Sequence, residues 1–290
     1  MTVKKYQSGK DFRQALETRL LSQAKSDKVP IERLRQEVAF DRFLARLLTN
    51  PDSDYLLKGG YAMELRLRHR ARFSRDLDIA AKYQKGITNP EAILRKLESE
   101  LAVDLGDWFS FRIAESSMSL EGAPYAGFRF PVETRLAERT FARFHVDVAF
   151  GDPVLDDPSW LSGSSLLNFA GIPTLSVPTL PAETHFAEKI HAYTKPRKTG
   201  QNSRVRDLID IVLLLDQDIL NADAVRRALK STFMRRDTHP LPATLPPPHT
   251  SWTATYADLA AEIGLRTSTT CEAAFQRLSA YWTELFLKRR

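Results

Sequence analysis

The stretch that decides the fold is Arg72-Phe73-Ser74-Arg75-Asp76-Leu77-Asp78, followed directly by Ile79-Ala80. From Asp76 onward, acidic and apolar side chains alternate. This alternation predicts a β-strand, because successive strand residues point to opposite faces of a sheet. Leu77 and Ile79 would then face a core, and Asp76 and Asp78 would share the other face.

The Asp76–Asp78 pair predicts a place for a cation. Two neighbouring carboxylates repel each other unless a positive charge lies between them. Mg²⁺ prefers carboxylate ligands supplemented by substrate phosphates, so such a pair suits phosphoryl transfer. The alternative is a solvated, charged edge strand, which explains most isolated Asp-x-Asp sequences because the motif is short.

A third carboxylate lies in a later strand-like run, Phe144–Phe150. Apolar residues occupy alternate positions of this run, and His145 and Asp147 share the opposite face. If the run lies beside the Asp-x-Asp strand, Asp147 completes a site of three carboxylates. A salt bridge to an arginine of a neighbouring strand, such as Arg129, explains Asp147 equally well, because an acidic residue in a strand needs a partner.

Lys58-Gly59-Gly60 opens a helical pattern just before the Asp-x-Asp strand. Glycines at a helix start let backbone N–H groups approach an anion closely, and the helix dipole favours phosphate there. A simple tight turn is the ordinary alternative for a Gly-Gly pair. Ser74 also has two interpretations: its hydroxyl contacts a substrate phosphate, or it closes a turn after Phe73.

A helical segment near residue 190 carries a lysine within an apolar stripe. Phe186, Ile190 and Tyr193 recur at helical spacing, and Lys189 falls inside the stripe. A lysine directed at a core or a cleft needs an anionic partner, whereas a lysine at the rim of the stripe would extend to solvent.

A second charged set, Arg204-x-Arg206-Asp207-x-x-Asp210, introduces the apolar run Ile211–Leu215. Asp207 and Asp210 are three residues apart and share a helix face, and Arg206 can pair with Asp210 at i, i+4. Helix capping and local salt bridges are therefore a serious alternative to a functional role for this set.

The remaining patterns predict two domains. Helices are expected over residues 11–25, 28–49, 54–68 and 89–102, and strands over residues 109–115, 126–133 and 141–150, with an antiparallel meander among them. The Pro-, Gly- and Ser-rich segment 151–181 is expected to be a connector with one short strand. The pattern is helical from Ala182 onward, except for a loop at Leu241–His249. This shift predicts a mixed α/β domain over residues 1–165 and a helical domain over residues 166–290.

Length and composition support a globular protein. The 290 residues are 43% hydrophobic and 27% charged, values that exclude a disordered or fibrous chain. The net charge of +6 is compatible with an anionic partner. One cysteine, Cys271, excludes a disulfide framework and a cysteine-based zinc site. We expect a cytoplasmic protein without a membrane span, because the longest apolar run, Ile211–Leu215, is far shorter than the roughly 20 residues of a span.

The order of these motifs resembles the DNA polymerase β-like nucleotidyltransferase superfamily, in which a glycine-rich helix start precedes Asp-x-Asp and a third Asp on a later strand. Within that superfamily, the chain is similar to the AbiEii family, which includes the MenT-type nucleotidyltransferase toxins, over roughly residues 30–215. The stretches that carry the resemblance are Arg42–Leu47, Leu57–Gly60, Arg72–Asp78, Val146–Asp152, and Glu188-Lys189 together with Arg204–Asp210.

The resemblance implies a nucleotidyltransferase α/β (α+β) lobe with a mixed sheet, a helical C-terminal lobe, and a cleft that holds an NTP with Mg²⁺ or Mn²⁺. Asp76 and Asp78 would bind the metal, and Asp147 would be a third ligand or the base that deprotonates the attacking hydroxyl. The other expected roles are triphosphate binding by Lys58, Gly59, Gly60, Ser74, Lys189 and Arg206, and the holding of Lys189 or the nucleotide by Asp207 and Asp210.

The family also implies a toxin of a toxin–antitoxin system with a cognate antitoxin. We expect it to transfer NMP to an RNA acceptor, the 3′ end of a tRNA, and thereby to block translation. The basic segments Arg66–Arg72 and Lys195–Lys198 can follow an RNA backbone, or they are ordinary solvated faces. A phosphate on Ser74 would bring negative charge to the triphosphate site, so Ser74 is also a candidate regulatory phosphosite. The alternatives are nucleotide transfer to a protein or small molecule, and an inactive module that binds RNA or the antitoxin.

Overall fold

The computed structural model describes residues 6–68, 71–81, 89–116, 118–119, 126–150, 157–196 and 204–287. These residues form two compact units. The first unit lies within Met1–Tyr61, Phe73–Gly151 and Trp160–Thr179, and the second within Ala62–Arg72, Asp152–Ser159 and Leu180–Arg290. Both units are therefore discontinuous in sequence, whereas the sequence pattern predicted one boundary at residue 165.

The helices follow the predicted periodic segments closely. They are α1 (Gly9–Asp27), α2 (Ile31–Leu47), α3 (Gly59–Leu67), α4 (Pro90–Leu101), α5 (Ala182–Thr194), α6 (Val205–Asp216), α7 (Ala222–Arg236), α8 (Trp252–Glu262) and α9 (Cys271–Leu287). Local chemistry sets several of the starts. Ser8 and Asn89 cap α1 and α4 by accepting the N–H of the third residue onward, and Pro90 occupies the first turn of α4.

The first unit is built on a mixed sheet. Its strands are β1 (Tyr55–Lys58), β2 (Asp76–Ala81), β3 (Phe109–Ile113), β4 (Met118–Ser119), β5 (Ala126–Leu136), β6 (Arg139–Phe150), β7 (Ser159–Ser162) and β8 (Ser176–Thr179). Within the described ranges the order is β3-β5-β6-β2-β1-β8-β7, and β4 pairs with β5. β2 runs parallel to β6 and antiparallel to β1, while β3, β5 and β6 form the predicted antiparallel meander.

The expected helix over residues 54–68 is wrong at its beginning, because residues 55–58 form β1. Tyr55 and Leu57 are buried and alternate with half-buried neighbours, which is the period of a strand. The helix begins only at Gly59. The connector also holds two strands, β7 and β8, where the sequence predicted one short strand.

The sheet packs against α2 through aromatic side chains. The Phe144 ring of β6 lies 4.9 Å from Phe40 and 5.6 Å from Phe43, both edge-on. A buried ion network also holds this helix: Arg46 donates to Asp107 at 2.8 Å and to the Phe109 carbonyl at 2.7 Å. The Arg42–Leu47 stretch is therefore a structural anchor between α2 and the start of β3.

The second unit is a helical core centred on α6. Ile211, Val212 and Leu214 are fully buried there, and α5, α7, α8 and α9 contribute further core residues. The described loop at Leu241–His249 carries no helix or strand, as its prolines predicted. None of the helices in the described part of the chain combines the length and apolar character that a membrane span requires.

Candidate active site

The parallel pairing of β2 with β6 brings the three predicted carboxylates together. Asp78 lies in register with Asp147, and Asp76 lies in register with His145. Leu77 and Ile79 are fully buried on the opposite face of β2. Because side chains alternate along both strands, Asp76, Asp78 and Asp147 share one face of the sheet. We call these three residues the carboxylate cluster.

Arg129 of β5 supplies a cation to the carboxylate cluster. It lies in register with Asp147, and its Nε and Nη2 atoms donate to Asp147 Oδ1 and Oδ2, each at 2.7 Å. Nη2 also lies 3.3 Å from Asp76 Oδ2. The salt bridge considered for Asp147 on sequence grounds is thus present. Hydrogen bonding to Asp147, with attraction to Asp76 and Asp78, raises the pKa of the Arg129 guanidinium despite its partial burial.

His145 contacts the other side of Asp76. Its Nδ1 atom lies 3.3 Å from Asp76 Oδ1, opposite the oxygen that faces Arg129. Asp76 therefore has a nitrogen near each of its oxygens, while a third of its side chain stays exposed. The exposed fraction leaves Asp76 accessible to a ligand from solvent.

Gly59 leaves the space that the Asp78 carboxylate fills. Its φ of +64° lies in the left-handed region, and a Cβ at this position would lie 1.9 Å from Asp78 Oδ2. The Asp78 carboxylate thus lies against the beginning of α3, where the helix dipole favours a negative charge. The predicted anion site at Lys58-Gly59-Gly60 is occupied, at least at Gly59, by a side chain of the protein itself.

Ser74 lies in the tight segment that leads into β2. It is 5% exposed, and its hydroxyl donates to the Asp76 carbonyl at 2.9 Å. Residues of α2 hold the same segment: Gln36 donates to the Arg75 carbonyl, and the Arg33 guanidinium lies over the Phe73 ring. The Ser74 hydroxyl therefore makes the turn contact, one of its two predicted interpretations.

Lys189 is buried in the second unit and bound by both predicted aspartates. Its Nζ atom donates to Asp210 Oδ2 at 2.7 Å and to Asp207 Oδ1 at 3.2 Å. Burial alone would lower the pKa of Lys189, but attraction to Asp210 and Asp207 outweighs it and raises the pKa. Conversely, Lys189 and Arg72 outweigh burial and lower the pKa of Asp210. All these groups stay charged at neutral pH.

Arg72 is a member of this ion network that the sequence did not single out. Its Nη2 atom donates to Asp210 Oδ2 at 3.1 Å, across 138 residues of chain. We call Arg72, Lys189, Asp207 and Asp210 the lysine network. Arg72 stands in the quoted Arg72–Asp78 stretch, so its position was available, but its partner was not.

The expected pairing of Arg206 with Asp210 is wrong. Asp210 is 1% exposed and its oxygens face Lys189 and Arg72, whereas Arg206 lies on the exposed side of α6. Arg204 is the helix-start arginine that lies near Asp207, at 3.7 Å. The one-turn spacing is correct, but the two side chains face different environments.

The predicted basic segments are only partly available to an RNA backbone. Arg66 is largely buried and donates to the Leu180 carbonyl at 2.8 Å, and this burial lowers its pKa to about 10. Arg72 belongs to the lysine network. His69 and Arg70, Arg197 and Lys198, and the Gly151-Asp152 end of the quoted β6 stretch lie outside the described residues.

The carboxylate cluster suits a divalent metal by its chemistry, although its present geometry serves a guanidinium. Among the residues that the structure describes, no three His, Cys, Asp or Glu side chains converge in a metal-binding arrangement. The cluster nevertheless binds a cation, because Asp76 and Asp147 both contact Arg129. Carboxylate oxygens are the ligands that Mg²⁺ and Mn²⁺ prefer. The donor set therefore fits the expected metal.

Known structures share this fold. MenT4, a nucleotidyltransferase toxin from Mycobacterium tuberculosis, matches with a TM-score of 0.55 and 18% identity over 96% of this chain and 99% of that chain. An antigenic nucleotidyltransferase-like protein from Paracoccidioides brasiliensis matches with a TM-score of 0.41 and 16% identity over 83% of this chain and 96% of that chain. A comparison with the curated proteins finds no match.

The family comparison is decisive for identity. The model of the nucleotidyl transferase AbiEii toxin of type IV toxin–antitoxin systems matches residues 42–279. This match includes the carboxylate cluster and the lysine network, and it extends well beyond residue 215, where the resemblance of the motifs ended. The chain therefore belongs to the AbiEii family of nucleotidyltransferase toxins, which act in type IV toxin–antitoxin systems.

Proposed function

We propose that this nucleotidyltransferase transfers NMP from an NTP to an RNA acceptor, the 3′ end of a tRNA, with Mg²⁺ or Mn²⁺ as the metal. The observation that carries the proposal is the register of β2 with β6, which aligns Asp76, Asp78 and Asp147 on one face. Phosphoryl transfer requires positioning and charge neutralisation more than covalent participation of the protein. A cluster of carboxylates beside a helix start fits that requirement.

Each unit would contribute different groups to the reaction. Asp76 and Asp78 would hold the metal, which neutralises phosphate charge when bound. Asp147 would complete the ligand set or accept the proton of the attacking hydroxyl. Lys189 would stabilise the charge that develops on the phosphates, and Asp207 and Asp210 keep its ammonium in place at 3.2 and 2.7 Å.

The RNA acceptor is favoured by the charge of the chain. The net charge is +6, and α7 adds an exposed basic surface that includes Arg227, Lys230 and Arg235. Clustered basic side chains on one helix are typical of surfaces that follow a phosphate backbone. The expected partners are therefore a tRNA and the cognate antitoxin that the family implies.

Incubation with each labelled NTP, Mg²⁺ and total RNA tests the acceptor. We expect label on tRNA with the wild type and no label with Asp78→Asn, which loses one carboxylate without changing its size. Asp258→Asn is the matched control, because Asp258 is exposed on α8. Label on protein or on a small molecule would support the alternative acceptor and contradict the RNA proposal.

Ser74 is the proposed point of covalent control. A phosphate would add about −1.5 to −2 charges next to the carboxylate cluster and would oppose triphosphate binding. Ser74 is 5% exposed and bonded to the Asp76 carbonyl, so a kinase would need this segment to open. Mass spectrometry of the toxin co-expressed with its antitoxin tests this. We expect a phosphate on Ser74, and an unmodified but inactive toxin would contradict it.

A further inference from the structure

Arg129 holds the carboxylate cluster in its present arrangement. It makes two hydrogen bonds of 2.7 Å to Asp147 and one of 3.3 Å to Asp76. Without a cation, carboxylates on adjacent strands in register would repel one another. Arg129 therefore does for the cluster what a bound metal ion would do, which is to neutralise and orient its oxygens.

The guanidinium and a divalent metal would need the same oxygens. Both oxygens of Asp147 already accept a hydrogen bond from Arg129, and one oxygen of Asp76 does so too. A metal ion bound to these atoms would lie about 2.0–2.2 Å from them. Two cations held this close repel each other strongly, since the sheet around the cluster is partly buried. The metal and Arg129 are thus competitors for one cluster.

Arg129 is able to leave. Its side chain is 28% exposed, and the Asp76 side chain is 33% exposed, so the guanidinium has a path to solvent. An exposed guanidinium regains its hydration at little cost, unlike the fully buried Arg46. The same contact that organises the empty cluster is therefore reversible.

We propose that Arg129 is a displaceable counter-cation: it positions Asp76 and Asp147 before the metal binds and releases them when the metal binds. The proposal rests on the proposed function, because it takes the carboxylate cluster as the metal site. It makes Arg129 a positioning residue, and it gives the protein a lower apparent metal affinity than the carboxylates alone would have. An apparent affinity falls by the fraction of molecules in the binding-competent state.

Binding of Mn²⁺, followed by the EPR signal of the free ion, tests the competition. If Arg129 occupies the cluster in about nine molecules of ten, Arg129→Gln should bind Mn²⁺ about tenfold more tightly than the wild type. Arg143→Gln is the matched control, because it removes the same charge from β6 at a side chain that is 70% exposed and paired with Glu133. An affinity of Arg129→Gln equal to or weaker than that of the wild type would overturn the proposal.

Thermal unfolding in EDTA and in Mn²⁺ gives a second readout that does not depend on activity. Arg129→Gln should have a lower Tm than the wild type in EDTA and a larger rise in Tm on adding Mn²⁺. Arg129→Lys keeps the charge but cannot bind both oxygens of Asp147, so its Mn²⁺ affinity should lie between the two. A wild-type response of both variants to Mn²⁺ would overturn the proposal.

Asp76→Asn separates this inference from the proposed function. We expect it to lose Mn²⁺ binding. If it does so while Arg129→Gln binds Mn²⁺ as the wild type does, the competition is wrong and the metal site stands. If Asp76→Asn binds Mn²⁺ normally, the metal site and the role of Arg129 both fail.

Discussion

At the scale of single residues, Gly59 controls the position of Asp78. An alanine there would meet both the strain of a φ of +64° and the carboxylate, 1.9 Å from the new Cβ. We expect Gly59→Ala to lower nucleotide transfer by about 10²-fold, the effect of a displaced catalytic group. Gly264→Ala is the matched control, because Gly264 also has a φ of +64° but open space around it. Equal losses of stability and activity in the two variants would show that the carboxylate contact is irrelevant.

Lys189 is expected to affect both catalysis and stability. Lys189→Ala removes a cation that Asp207 and Asp210 share inside the second unit, and leaving them without it should cost about 3–5 kcal/mol. Loss of an electrostatic stabiliser should also slow transfer by about 10²-fold or more. Turnover and thermal unfolding, measured on one preparation, give both effects.

A conservative variant separates the two effects of Lys189. Lys189→Arg keeps the charge, so it should recover most of the stability, yet it should not recover turnover, because its guanidinium is larger and differently shaped. Lys230→Ala on the exposed side of α7 is the control for loss of a lysine. Normal turnover of Lys189→Ala would reduce Lys189 to a structural residue.

At the scale of the helix and the strand, α2 carries a carboxyl whose protonation is linked to stability. Burial raises the pKa of Asp41 to about 6, although Arg42 at 3.3 Å acts against the shift. The folded state then binds a proton more tightly than the unfolded state, so the contribution of Asp41 to stability falls as the pH rises from about 4 through about 6.

The test compares wild type with Asp41→Asn in urea at two pH values. We expect the unfolding free energy of the wild type, relative to that of the variant, to be roughly 2 kcal/mol greater at pH 4 than at pH 7. An exposed acidic control, Asp52→Asn, should give no such difference. A pH-independent difference between wild type and Asp41→Asn would contradict the raised pKa.

Long periodic elements were predictable from sequence, and short ones were not. The helical spacing in Ile31–Leu47 and the alternation in β2 and β6 extend over enough residues to fix both the element and its buried face. β1 has four residues and merges directly into α3, so its sequence is compatible with a helix. Its hydrogen-bond partners, β2 and β8, decide in favour of a strand, and both lie far along the chain.

At the scale of the whole molecule, binding of RNA should depend steeply on salt. Each phosphate that a basic side chain neutralises releases condensed counterions, so the logarithm of the binding constant falls with log salt by about 0.7–0.9 per contact. We expect a slope of several units for tRNA, measured by filter binding in the absence of NTP. A flat profile would favour a protein or small-molecule acceptor.

The motifs gave the members of the site, but not all their partners. Asp76, Asp78 and Asp147 were predictable because strand alternation assigns them a face, and Lys189 because it interrupts an apolar stripe. The contacts of Arg129 with Asp76 and of Arg72 with Asp210 join residues 53 and 138 positions apart. Such pairings are set by tertiary packing, and one sequence carries no local signal for them.

The register of β2 with β6 has a consequence for the birth of the protein in the cell. Asp147 follows Asp78 by 69 residues, so a ribosome adding about 5–20 residues per second needs roughly 3–14 s to make the second strand after the first. Until β6 pairs with β2, the nascent chain has only part of its carboxylates in place. A toxin made this way is harmless while it is being translated, and its antitoxin has that interval in which to meet it.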